Sequence, residues 1–117
     1  MWVRKEIEIP ASWAGKDVQL SLGAIDDNDI TYWNGIEIGR TDGPTLQRKY
    51  IIPEKMVKPG RAILAIRVLD TGGNCGIWGD LYLRSTNDEQ ISLSGDWKYQ
   101  VASGRQIRRS QFTDFPL

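Results

Sequence analysis

Asp26, Asp27 and Asp29, with Asn28 among them, crowd four oxygen-bearing side chains into four consecutive positions. Such a cluster can do one of two things. It can hold calcium, which takes about six to eight oxygen ligands, or it can cap a turn and neutralise a cation. The first use lacks both the glycine at the sharp turn of an EF-hand loop and the bidentate glutamate that completes its shell. For the second there is a partner in the sequence. Arg67 interrupts the otherwise apolar run Leu64-Ala65-Ile66-Arg67-Val68-Leu69. A guanidinium cannot escape burial by losing its proton, so a buried one needs a fixed carboxylate. The expectation is a structural ion pair between Arg67 and Asp26, Asp27 or Asp29, with no cofactor, and structural calcium as the rival use of the same oxygens.

The five tryptophans offer a different chemistry, since a flat indole can stack on the apolar face of a pyranose. Trp2 and Trp97 sit in alternating runs and read as packing residues. Trp33, beside an Asn-Gly turn, and Trp78, just after a glycine-rich loop, read as the aromatics that face a ligand or a partner domain. Asp70 opens that loop and joins them as a site candidate. Asp70-Thr71-Gly72-Gly73-Asn74 has the glycines of a phosphate cradle, but no Lys-Ser/Thr follows and no helix begins there. It reads as a loop bordering a neighbouring site.

Catalysis is harder to place. The chain has no histidine, which removes the commonest general base, the Ser-His and Cys-His nucleophile pairs and the commonest ligand of catalytic zinc. Cys75 is the single cysteine, too few for an internal disulfide or a cysteine metal cluster. No catalytic and no metal-binding residue is expected. Fifteen basic residues balance fifteen acidic ones, so no net field draws in nucleic acid or an anionic membrane. No apolar run approaches the roughly 20 residues that span a bilayer. The opening Met1-Trp2-Val3-Arg4-Lys5 reads as a strand rather than a leader peptide. The compartment stays open.

What positions these residues is β-structure almost throughout. Val3, Ile7 and Ile9 alternate with Arg4, Glu6 and Glu8, and Val18, Leu20 and Leu22 alternate with Asp17, Gln19 and Ser21. Asn34-Gly35 between Ile30–Trp33 and Ile36–Ile38 predicts a two-residue type I′ hairpin, with Trp33 facing Ile36 and Thr31 facing Ile38. Arg48 to Ile52 predicts a short strand, and the proline-bounded stretch Pro53 to Gly60, too short for a full helix, a single helical turn leading into a β-turn. Ala62 to Leu69 predicts a central strand covered on both faces, and Trp78 to Leu83 another strand. Ile91–Leu93 and Trp97–Val101, flanking Ser94-Gly95-Asp96, predict a closing hairpin. About eight short strands without a helical period predict an all-β fold, an antiparallel β-sandwich or barrel. One domain over residues 1–101 is expected, with 102–117 a linker leaving it, or alternatively a tail folded back over it.

Four segments in order carry a family resemblance: Trp2-x-Arg4-Lys5-x-Ile7-x-Ile9-Pro10; Leu22-Gly23-x-Ile25-Asp26-Asp27-x-Asp29-x-x-Tyr32-x-Asn34-Gly35-x-x-Ile38-Gly39; Val57-Lys58-Pro59-Gly60-x-x-x-Leu64-Ala65-Ile66-Arg67-Val68; and Leu93-x-Gly95-x-Trp97-x-Tyr99. Together they resemble the galactose-binding-like jelly-roll domain inserted in sialate O-acetylesterases, of the serine (SGNH-type) esterase class. More loosely they resemble the sugar-binding-fold domain of family 2 glycoside hydrolases. The resemblance implies a jelly roll that buttresses the catalytic esterase domain of a secreted or periplasmic parent. It also implies that residues 102–117 lead towards a catalytic segment outside this chain. The family's Gly-Gln-Ser-Asn and Asp-x-x-His blocks are both missing here, so no catalytic role transfers. The implied partners are that esterase domain and carbohydrate. An autonomous carbohydrate-binding module is the alternative.

Overall fold

A computed structural model of the chain describes residues 2–25, 28–43, 47–69, 77–78, 80–100 and 107–111. They form eleven strands: β1 (Trp2–Ile9), β2 (Val18–Ile25), β3 (Asn28–Trp33), β4 (Ile36–Asp42), β5 (Gln47–Ile52), β6 (Gly60–Leu69), β7 (Ile77–Trp78), β8 (Tyr82–Ser85), β9 (Gln90–Ser92), β10 (Asp96–Gln100) and β11 (Ile107–Gln111). Sheet A runs β11-β10-β1-β6-β3-β4; sheet B runs β5-β2-β8-β9, with β7 also on β2. Every pairing is antiparallel. The chain is an all-β antiparallel sandwich.

The period-2 alternation fixes which residues lie between the sheets. Sheet A contributes Val3, Ile7, Ile9, Trp33, Leu64, Ile66, Val68 and Trp97; sheet B contributes Val18, Leu20, Leu22, Ile52 and Leu83. Trp13 joins them from the 3-10 turn Ala11–Trp13. Each buried indole finds an acceptor for its N–H, as burial of that group demands. Trp33 donates to the Met56 carbonyl at 3.0 Å, Trp97 to the Leu93 carbonyl at 2.8 Å and Trp13 to Glu89 at 3.3 Å. The turn expected after Pro53 is the 3-10 turn Glu54–Met56, which supplies the Trp33 acceptor.

The β3–β4 hairpin turns at Asn34 (φ 48°) and Gly35 (φ 84°), the left-handed pair a type I′ turn requires. Asn34 is also tied to β6, its N–H donating to the Ile63 carbonyl and its side-chain oxygen accepting from the Ile63 N–H. Trp33 pairs with Ile36 as expected, but Thr31 pairs with Gly39. A bulge leaves Ile38 unpaired, and the extra residue shifts the register by one beyond it.

Three organisational expectations need correction. Ile91–Leu93 and Trp97–Val101 do not close as a hairpin, because β9 pairs within sheet B and β10 within sheet A. The chain passes between sheets at Gly95 (φ 107°), so both segments are strands without being partners. β6 is central to sheet A but is covered on one face only: Leu64, Ile66 and Val68 are buried, whereas Arg61 and Arg67 are exposed. Finally, β11 lies within the stretch read as linker and pairs with β10 from Asp96↔Gln111 to Gln100↔Ile107. Sheet pairing thus extends past residue 101.

Candidate functional site

Two sites of chemical interest lie on different parts of the sandwich. The first is internal. Asp29 on β3 and Arg48 on β5 face each other across the two sheets, and both side chains are fully buried. Arg48 Nε donates to Asp29 Oδ1 at 2.7 Å. Thr31 Oγ1 and Tyr50 Oη each donate to Asp29 Oδ2 at 2.8 Å. With the Tyr50 proton committed to Asp29, Thr41 Oγ1 donates to Tyr50 Oη at 2.7 Å. The Arg48 guanidinium also reaches the Thr41 carbonyl at 3.4 Å. Burial pushes the Tyr50 phenol well above the ordinary tyrosine range; the Thr41 hydrogen bond pulls the other way, and the Asp29 charge and hydrogen bond add to the rise. This network pins sheet A to sheet B.

It corrects the expected ion pair. Asp29 is the buried carboxylate, but its cation is Arg48. Arg67 points to solvent and lies 6.0 Å from the Trp2 ring centroid. Alternation explains the exchange. Arg48 shares the inward face of β5 with Ile52, whereas Arg67 shares the outward face of β6 with Ile63 and Ala65. Asp26, Asp27 and Asp70 lie outside the described residues. Among the described residues no group of three or more His, Cys, Asp or Glu side chains is placed to hold a metal ion.

The tryptophans exchange roles as well. Trp33, expected to face a ligand or partner, is 1% exposed, while Trp2, expected to pack, is 39% exposed. The hairpin tip that should carry Trp33 outward is laid along β6, and this turns the ring into the core. The backbone of Trp78 pairs with Ala24; its side chain is outside the described residues.

The second site is an open cleft of about 400 Å³ on sheet B, lined by Asp80, Leu81, Tyr82, Gln90, Ser92 and Ser94. The β8–β9 hairpin builds it. Tyr82 pairs with Ser92 and Arg84 with Gln90, while Leu81, Leu83 and Leu93 are buried and anchor the hairpin to the core. The Leu93 N–H donates to the Leu81 carbonyl, and Ser21 Oγ donates to the Asp80 carbonyl at 3.3 Å. A tight turn at 86–89 closes the far end, with Asp88 at φ 68° and an exposed Arg84–Asp88 pair. Asp80, Gln90, Ser92 and Ser94 are exposed around half-buried Tyr82.

This set offers one carboxylate, one carboxamide, two hydroxyls and a phenol ring, which is suited to hydrogen-bonding a hydroxyl-rich ligand against an apolar surface. Among the described residues that line it, Asp80 is the one carboxylate, whereas glycoside cleavage uses a carboxyl pair roughly 5–9.5 Å apart. Sequence reasoning missed this site. Its signal was Tyr82-Leu83-Arg84, an alternation that sends Tyr82 and Arg84 outward.

The sequence matches no protein-family model and no curated protein. Solved structures do match. A lectin from Pleurotus ostreatus in complex with GalNAc superposes with TM-score 0.64 at 22% identity over 83% of this chain and 28% of its own. Its apo form gives 0.65 at 21% over 88% and 30%. A β-glucuronidase from Ruminococcus gnavus in complex with uronic deoxynojirimycin gives 0.55 at 22% over 78% and 16%. The chain spans less than a third of each of these proteins. At such identities the likeness is one of fold, that of the antiparallel β-sandwich.

Proposed function

We propose that this chain is a non-catalytic, sugar-recognising accessory domain of a larger carbohydrate-active hydrolase, whose chemistry is done by another part of the parent. The observation that carries the reading is the composition of the β8–β9 cleft. A phenol ring ringed by Asp80, Gln90, Ser92 and Ser94 can satisfy vicinal hydroxyls, and among the described lining residues it brings one carboxylate, in a chain without histidine. The fold shared with a lectin and with part of a glycosidase supports the same reading.

The parent is the finer question. The four sequence segments favour a sialate O-acetylesterase, while the structural likeness favours a family 2 glycoside hydrolase. In either parent the domain buttresses the catalytic unit and borders its cleft, Trp78 and Asp70 being the residues proposed to face a ligand or that unit. Recovering the flanking coding sequence separates the two. Gly-Gln-Ser-Asn before the domain and Asp-x-x-His after it would identify the esterase.

The recognition itself is tested by calorimetric titration of the chain against neutral mono- and oligosaccharides. Binding in the micromolar to millimolar range is expected for at least one sugar, falling about tenfold or more in Asp80→Ala and Tyr82→Ala. Sugar binding that both variants retain would remove the cleft from the proposal. An absence of binding to every sugar would leave only the buttressing role.

A further inference from the structure

We propose that the outward face of sheet A, around Trp2, Tyr32, Arg4, Arg67 and Lys98, is a platform for an acidic polysaccharide, one carrying carboxylate or sulfate groups along an extended chain. This rests on the sugar-recognising reading but concerns a different surface and a ligand of different charge.

The register assembles the platform. Across the sheet, Arg40, Ile30, Arg67 and Trp2 fall in one row, and Glu37, Tyr32, Ala65, Arg4 and Lys98 fall in the next. The intervening residues Thr31, Ile66 and Val3 are buried, so these rows face solvent. Arg4 lies directly opposite Lys98, an arrangement of like charges that is unfavourable without a counter-charge. Two nearby carboxylates are already engaged, Glu37 by Arg40 at 2.6 Å and Glu6 by Arg61 at 2.6 Å. Arg4, Arg67 and Lys98 have no ion pair with any described carboxylate. A chain of zero net charge therefore concentrates on one half of one face three cations that pair with no carboxylate among the described residues.

Aromatic surface lies among them. Trp2 on β1 and Tyr32 on β3 are separated by β6, but Ala65 stands between them and is too small to keep them apart. Their ring centroids are 5.5 Å apart, with planes tilted by 38°. Arg67 sits 6.0 Å from the Trp2 centroid, within reach of a cation–π contact that orients its guanidinium. A flat face without walls suits a polymer laid along it better than a single sugar unit. It suits single-stranded nucleic acid less well. The two rings already touch and leave no slot for a base, and the chain lacks the long-range field that a phosphate at every nucleotide rewards.

The test is affinity electrophoresis of the chain through gels containing polygalacturonate, dextran sulfate, neutral dextran or poly(U). Retardation by polygalacturonate or dextran sulfate is expected, weakening as sodium chloride rises. The two anionic gels distinguish carboxylate from sulfate recognition, and either supports the proposal. The Arg4→Gln/Arg67→Gln variant should lose about tenfold or more in affinity, Trp2→Ala should weaken binding, and Lys49→Gln, exposed on β5 of the other sheet, should leave it unchanged. Thermal melts check folding; if the double variant fails to fold, Lys98→Gln carries the test. Equal retardation by neutral dextran, stronger retardation by poly(U), or no retardation by any polymer overturns the platform. None of these outcomes touches the cleft, whose test uses neutral sugars and Asp80→Ala.

Discussion

Asp29 and Arg48 show how much one buried charge can depend on another. Both side chains are fully withdrawn from water, so deleting either leaves its partner buried and uncompensated. Arg48→Met should cost about 3–5 kcal/mol in denaturant melts. Arg67→Met, at a solvent-facing position on the outward face of β6, should cost no more than about 0–1 kcal/mol. Equal losses would contradict the assignment of the pair. Tyr50 adds a pH dependence. Its phenol titrates higher in the folded chain than in the unfolded one, so the stability it contributes is complete below the ordinary tyrosine pKa of about 10. That stability declines as pH rises from there towards the folded value, because the unfolded chain releases the proton first. Tyr50→Phe should flatten the alkaline fall in stability, measured by urea melts between neutral pH and about pH 11. The carboxylate of this pair was legible in the sequence and its cation was not. An arginine inside an apolar run attracts notice, whereas Arg48 in Gln47-Arg48-Lys49-Tyr50 looks like surface until alternation from Ile52 is counted backwards.

Among the strands, the β3–β4 hairpin was the most legible element, because Asn34-Gly35 carries its own backbone instruction. Its bulge was not legible. It arises where Gly39 passes under the Tyr50 ring, and a Cβ there would collide with ring atoms. Gly39→Ala should therefore destabilise the chain by about 1–3 kcal/mol, and the cost should shrink in a Tyr50→Leu background. Additive losses in that double-mutant cycle would mean that the two residues do not press on each other. Strand positions elsewhere followed from alternation, but partners did not. Ile91–Leu93 and Trp97–Val101 looked like a hairpin because they are close in sequence, and only the contacts of β9 with β8 and of β10 with β1 send those strands to opposite sheets. The β8–β9 cleft escaped notice for the same reason, since its polar residues become neighbours only through that pairing.

At the scale of the whole molecule, the absence of histidine leads to a simple enzymatic expectation. A pure sample should release p-nitrophenol from p-nitrophenyl acetate no faster than a heat-treated control, and heat-sensitive turnover would show that chemistry had been overlooked. The sandwich itself was readable from strand spacing and turn residues; its exposed platform was not, because Trp2 and Tyr32 meet across an intervening strand. Strand order has a consequence in time as well as in space. β1 lies between β6 and β10, so during synthesis it waits for Gly60–Leu69 and then for Asp96–Gln100 before both its edges are paired. Folding dominated by such distant pairings belongs to the slower, millisecond-to-second regime. During synthesis β1 offers open edges to any other strand nearby, and a chain arrested before Asp96 should be captured by holdase chaperones that ignore the finished domain.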